Sequence, residues 1–273
     1  PLLRLATEDN IPIAIEAPAY TLEVADKLDS KWVHELKKAI FSKKVEFLGS
    51  GYSQLIAPIA PADVNVWNLQ NGIKVYKELL NFTPGIWFIN EQAYSSGIVE
   101  HYVHVGAKAI IMEWNNPRAL HPEWDNEYRY YPQIAIGNNG SAIPVLWNDS
   151  VSFQKLQRYA HNDIGLDEMF QYLINHVGEQ SRFFCLYGND AEIFDFRPGR
   201  FKTEPKLVSG SEWSRIRELY CLLRDNRMFE HVLPSNIIDS RPASSCFSSG
   251  ISLSLGSSVQ PVPVKKQPKY NLT

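Results

Sequence analysis

An α/β fold built on a parallel sheet is predicted by three observations. Short, uniformly apolar runs recur along the chain. Helix-spaced segments separate them. The residues that follow one run after another come from a narrow set of acids, amides and aromatics. Strands that are apolar on both faces belong to a sheet covered on both sides. A closed α/β barrel and a doubly wound sheet both produce this alternation. The chain has 273 residues, enough for one large domain or two ordinary ones, and at this size folding buries roughly three-quarters of the surface of the unfolded chain without covalent staples.

The opening stretch, PLLRLATEDN, reads as the end of a helix already under way, so sequence upstream of Pro1 is expected. Ile11 to Ile15 is a short strand. Trp32 to Phe41 has helical spacing, with Trp32, Val33, Leu36 and Ile40 on one side. Val45 to Leu48 is a second strand, followed by GSGYS. Val64 to Leu80 is a helix with Trp67, Val75, Tyr76 and Leu79 as candidate core. Ile86 to Ile89 is a third strand, Ile98 to Val105 a helix, and AKAIIMEW from Ala107 a fourth strand. Asn115 to Gly140 carries Pro, Asn and Gly throughout and reads as a long excursion of the kind that often bears function. IPVLWND from Ile143 is a fifth strand, Leu166 to Val177 a helix, and RFFCLYGND from Arg182 a sixth strand. Ser211 looks like an N-cap, with Glu212 in the first turn of an amphipathic helix reaching Arg227. From Ser240 onward the chain is rich in Ser and Pro; the alternation in ISLSL is that of a stray strand.

The balance of charge excludes some partners. With 44% hydrophobic and 21% charged residues and a net charge of −3, the chain is a globular protein without the basic face that nucleic acid requires. No apolar run is long enough to span a bilayer, and these residues hold no signal-peptide pattern, although a start at Pro1 without Met leaves room for a leader upstream. Cys185, Cys221 and Cys246 are odd in number and scattered. They form neither a disulfide framework nor a CxxC metal pair, and a cytoplasmic location with reduced thiols is expected.

In parallel α/β folds the chemistry gathers at the carboxyl edge of the strands. After the third strand come Asn90 and Glu91; after the fourth, Glu113, Trp114, Asn115 and Asn116; after the fifth, Trp147, Asn148 and Asp149; after the sixth, Tyr187, Gly188, Asn189, Asp190, Ala191 and Glu192. This is the equipment of a sugar site. The apolar face of a sugar ring packs on an aromatic, and its hydroxyls bond to amides and carboxylates. Two carboxylates facing a glycoside can cleave it, one protonating the leaving oxygen while the other attacks or activates water. Such chemistry needs neither a metal nor an organic cofactor. Structural roles compete at each position. Asp149, before SVSFQ, suits a helix cap, and Glu113 inside IIMEW suits burial. Glu91 suits a cap less well, because the next helix starts near Ser96. His101 and His104 share a helix face but have no third ligand at a matching spacing. GNNGS at Gly137 is not a phosphate loop, and Ser95 and Ser96 lack a nucleophile elbow.

At these residues the chain resembles glycoside hydrolase family 57, the retaining enzymes acting on α-glucans. KVEFLGSGYSQLIAP resembles the family's second conserved region, GIWFINEQAYS its Trp-x-x-Glu region and LYGNDAEIF its Asp-Gly/Ala-Glu region, in the family's order. The resemblance runs from about Ile11 to Arg227. It implies an incomplete seven-stranded (β/α) barrel over residues 1–210, the start of a helical bundle over 211–238, and a Ser/Pro-rich tail over 239–273. It also implies Glu91 as nucleophile and Asp190 as acid/base. Trp87, Asn90, Trp114, Asn115, Trp147, Asp149 and Glu192 would shape the substrate subsites. Two departures are visible. The family's first, His-rich region has no match and would precede Pro1, and Ser53–Gln54 stand where the second region usually carries a His after its Tyr. The implied function is a glycoside hydrolase or transglycosidase for oligo- or polysaccharide. The alternatives are a metal-dependent polysaccharide deacetylase using His101, His104 and Asp190, and a non-catalytic glucan-binding barrel.

Overall fold

A computed structural model describes residues 1–195, 210–239 and the strand at 252–253. Helix α1 (Leu2–Thr7) leads into β1 (Ile13–Glu16), α2 (Ala19–Phe41) and β2 (Val45–Leu48). Then follow α3 (Ala62–Leu80), β3 (Ile86–Phe88), α4 (Ser96–His104) and β4 (Ala109–Glu113). The middle of the chain forms α5 (Asn115–Leu120), β5 (Gln133–Ile136), β6 (Ala142–Asn148), α6 (Ser150–Ala160) and α7 (Leu166–Ile174). Beyond these lie α8 (Glu212–Arg224), α9 (Pro234–Asp239) and β7 (Ser252–Leu253).

The pairing sets one common direction. β1 and β2 are parallel, with Glu16 opposite Leu48. β3, β4 and β6 are parallel in that order. A parallel bridge between Gly49 and Trp87 joins the two sheets, and another joins Asn148 to Cys185. The carboxyl ends of β1, β2, β3, β4 and β6 therefore lie along one edge. β5 runs antiparallel to β6, and β7 adds to β5.

Packing explains why these segments take these forms. Leu36, Phe47, Tyr76, Trp87 and Met112, all fully buried, belong to one core cluster under α2, α3 and α4. A second cluster joins Phe153 and Leu156 of α6, Met169 of α7 and Ile216 and Leu219 of α8. α3 follows Pro61, carries Asp63 in its first turn and closes on Asn81 in the left-handed conformation (φ 53°), which frees its last carbonyls to be met. Gly49 is required: a Cβ there would stand 2.5 Å from the Trp87 ring.

The structure differs from the sequence expectations at several places, among them α2, which starts at Ala19 rather than near Trp32. RFFCLYGND is not a strand; only Cys185 makes a bridge, because Phe184 stacks on His176 at 4.2 Å and turns its ring into the helical side of the core. The excursion from Asn115 is structured, holding α5 and β5. α6 was foreshadowed only by the cap reading of Asp149, and its extent was not read, since its buried face mixes Ser152 with Phe153, Leu156 and Tyr159. Trp67, expected in the core, is 60% exposed. The strand expected in ISLSL is present at Ser252–Leu253 and has a partner, β5.

A clasp ties the amino-terminal end to α8. The Arg217 guanidinium donates to both carboxylate oxygens of Asp9 at 2.6 and 2.7 Å, and Arg224 donates to the Asp9 carbonyl. The hydrogen bond from Arg217 is the main cause holding the Asp9 carboxyl below its ordinary value. A depressed carboxyl contributes stability above its unfolded value of about 3.9, lost as pH falls through the folded one. Asp9→Asn is thus expected to lower the denaturation midpoint at neutral pH, with the gap to the wild type closing as pH falls from about 4 through the lower folded value of Asp9. A gap that stays constant from neutral to acid pH would contradict the ionic role.

Candidate active site

The ends of β1, β2 and β3 bring Glu16, Ser50 and Asn90 together. Ser50 Oγ donates to Asn90 Oδ1 at 2.7 Å, and Asn90 Nδ2 returns a bond to the Ser50 carbonyl at 3.0 Å. Both residues are buried. The turn that follows is strained. Glu91 and Gln92 each have φ 53°, the left-handed region that costs an ordinary side chain roughly 1–2 kcal/mol. Strain of this kind persists where the surroundings over-determine it; here the buried Asn90 anchors it. The result is an exposed Glu91 carboxylate, held by Gln54 Nε2 at 3.2 Å.

Asp190 is also exposed and begins a short 3-10 turn. Its amide donates to Asn189 Oδ1 at 2.8 Å, and Tyr187 donates its hydroxyl to the Asp190 carbonyl. Asn148 steadies the same segment by donating to the Gly188 carbonyl at 2.7 Å. The Asp190 charge is felt at Glu16: desolvation pushes the Glu16 carboxyl above its ordinary value, a hydrogen bond from Ser50 works against it, and the Asp190 charge adds a smaller push upward. Asp190 and the ends of β1 to β3 thus share one neighbourhood.

The ends of β4 and β6 carry structural bonds. Glu113 accepts from the Asn115 and Asn116 amides at 2.7 and 2.6 Å and from Ser150 Oγ at 2.7 Å. Asn115 Nδ2 also reaches Asp149. Asp149 caps α6 through the Ser152 amide at 2.9 Å and pairs with Arg129 at 3.4 Å. Both acids are buried and committed. Trp87, Trp114 and Trp147 are 0%, 1% and 7% exposed. Trp114 packs edge-on to Trp147 at 5.2 Å and Trp87 edge-on to Tyr102 at 6.1 Å, so none of the three offers an open ring face. The Glu192 side chain lies outside the described residues. Glu16 escaped the sequence analysis because the first strand was ended at Ile15. The signal was present, as IAIEAP stops at an acid in the same way as GIWFINE.

Behind Asn90 lies a small cavity lined by Ser50, Asn65, Asn68, His101 and Tyr102, with room for about one water molecule. His101 Nδ1 and Asn65 Oδ1 are buried without a protein partner, as water-bound groups would be. Burial holds His101 below its ordinary value, which keeps the ring neutral. Among the described residues no group of three or more His, Cys, Asp or Glu could hold a metal ion. The Cys185 thiol is pushed up to about 12, mainly by burial, and is no nucleophile.

The sequence model of glycosyl hydrolase family 57 matches residues 3–247. The chain belongs to glycosyl hydrolase family 57. Solved structures share the fold of this family 57 chain at low identity. A 4-alpha-glucanotransferase from Thermococcus litoralis matches with a TM-score of 0.72 and 14% identity, over 88% of this chain and 36% of that one. An exo-type maltose-forming amylase from Pyrococcus sp. ST04 matches at 0.65 and 12%, over 88% and 38%. A putative polysaccharide deacetylase from Mycobacterium smegmatis matches at 0.59 and 15%, over 88% and 74%. The family 57 chain therefore spans little more than a third of the glucanotransferase and the amylase. No curated protein matches it in sequence. Among the described residues no helix is long and apolar enough to cross a membrane.

Proposed function

We propose that the protein is a glycoside hydrolase or transglycosidase acting on α-glucan by double displacement. Glu91 attacks the anomeric carbon while Asp190 protonates the leaving oxygen. Asp190 then takes a proton from water or an incoming sugar hydroxyl, which releases the glycosyl group from Glu91. The observation that carries this is the pairing of two exposed carboxylates near one strand edge: Glu91 on a strained turn anchored by Ser50 and Asn90, and Asp190 within electrostatic reach of Glu16 at the end of β1. Family membership supports the same chemistry. In this mechanism Asn90, Asn115 and Asp149 position the site, and Trp87, Trp114 and Trp147 form the rigid floor under it.

An incomplete seven-stranded barrel over residues 1–210, continued by the helical segment 211–238, is part of the proposal. Its support is that β1 and the segment after Cys185 stand at opposite ends of the strand order, yet Glu16 senses Asp190 and Asp9 is clasped by α8. A curved sheet brings such edges together. A cytoplasmic location follows from the same proposal.

The test is to incubate the protein with maltooligosaccharides and resolve the products by size and anomeric form. New reducing ends or redistributed chain lengths, with the α-configuration kept, are expected. Saturable binding without any product would replace the enzyme with a glucan-binding module.

A further inference from the structure

Asp190 opens a 3-10 turn and stands on no strand. The hold of the sheet on its segment ends upstream, with the bridge at Cys185 and the bond from Asn148 to the Gly188 carbonyl. Downstream the segment is held by α8. Phe194 is 1% exposed and packs on Phe153, His161 and Trp213, and Tyr187 stacks on Trp213 at 6.1 Å. Asp195 and Glu212, 17 positions apart, then bond each other twice. The Asp195 amide donates to Glu212 Oε2 and the Glu212 amide donates to Asp195 Oδ1, both at 2.7 Å. Ser211 Oγ and the Trp213 amide also donate to the Asp195 carboxylate. This is the reciprocity of a capping box, made between distant residues. Asp195 has φ 59°, a left-handed conformation that persists where the surroundings impose it.

Capping alone does not explain Glu212. Ser211 and Asp195 already meet the first amides of α8, and a first-turn glutamate that served only the helix end would stand in water. Glu212 is instead 2% exposed, and its Oε1 shares a hydrogen bond of 2.6 Å with Nδ1 of His161, a buried residue at the end of α6. A buried acid is costly unless both oxygens are met; here one meets α6 and the other the backbone of Asp195. The frame behind it is braced as well, since Arg215 of α8 donates to the Tyr159 carbonyl at 2.9 Å and to the Ile164 carbonyl at 3.3 Å. We propose that Glu212 is a positioning residue: seated on His161, it fixes the backbone at Asp195 and so holds the segment that presents the Asp190 carboxyl to the leaving oxygen.

The inference rests on Asp190 acting as the acid, and two measurements keep it distinct from that reading. Amide hydrogen exchange needs no substrate. In Glu212→Ala, exchange in residues 182–195 should quicken about tenfold while residues 86–93, around Glu91, keep the wild-type rate. No change in 182–195, or an equal rise in both segments, would overturn the latch. The second measurement is kinetic. A sugar leaving group needs the proton of Asp190, whereas a 2,4-dinitrophenolate departs with the bonding electron pair unaided. On maltooligosaccharides kcat/KM of Glu212→Ala should fall about tenfold or more, and on a 2,4-dinitrophenyl α-maltooligoside it should stay within about threefold of the wild type. Equal losses on the two substrates would make the residue merely structural and overturn the proposal. Glu212→Gln keeps an acceptor for the Asp195 amide and a polar group for His161, so it should recover most of the loss. Where Glu212→Ala fails to fold, Glu212→Asp, too short to meet both partners, is read by the same two measurements. A wild type that turns over neither substrate would remove the glycosidase reading, and hydrogen exchange would then decide alone whether Glu212 holds the segment.

Discussion

Glu91→Gln should lower turnover of maltooligosaccharides by at least about 10³-fold while the circular dichroism and thermal midpoint stay those of the wild type. The size follows from the role. An amide oxygen cannot form the glycosyl intermediate, and nothing else on the turn is a nucleophile. The separation of activity from stability follows from the surroundings. The Glu91 carboxylate is exposed and bonded to the side chain of Gln54, so no core contact depends on its charge. Gln has the same backbone demand at φ 53° as Glu. A variant that turns over within about tenfold of the wild type would take Glu91 out of the mechanism.

Trp87→Ala should destabilise the protein by about 3–5 kcal/mol, read as a lowered midpoint in denaturant. The ring is fully buried, lies against Gly49 and meets Tyr102 edge-on at 6.1 Å. The same residue carries the bridge that joins the two-stranded sheet to the larger one. Removing the ring empties the seam of the fold, and Gly49 has no side chain with which to fill it. Trp87→Phe keeps part of the contact and should cost less than half as much. A loss below about 1 kcal/mol for the alanine variant would mean that the seam collapses around the gap.

The alternation of strands and helices was legible because it is written in local pattern. Val45–Leu48 was placed without error: four residues with an apolar, half-buried rhythm between a lysine pair and a glycine turn are enough. The segment from Arg182 was misread for the same reason. Its apolar residues are real, but they pack on Tyr130 and His176 rather than on strand neighbours, and a short apolar run does not say which. The cap of α6 at Asp149 was legible, but its length was not, because Ser152 lies on its buried face and bonds Tyr172 there. In the site, Glu91, Glu113 and Asp149 were picked out by position alone, and Glu16 was missed. Which acids are committed to structural bonds was not legible. Glu113 and Asp149 are consumed by amides and hydroxyls brought from elsewhere in the chain, and that demand exists only after folding. The tryptophans illustrate the same limit, since one residue type serves both as core and as sugar platform and burial alone separates the two.

The clasp between Asp9 and Arg217 joins residues 208 positions apart. At about 5–20 residues per second a ribosome needs about 10–40 s to make the second after the first. Through that interval β1 and β2 can pair with each other, but α8 does not yet exist to hold them. The β1–β2 pair therefore waits without that clasp until Arg217 has been made.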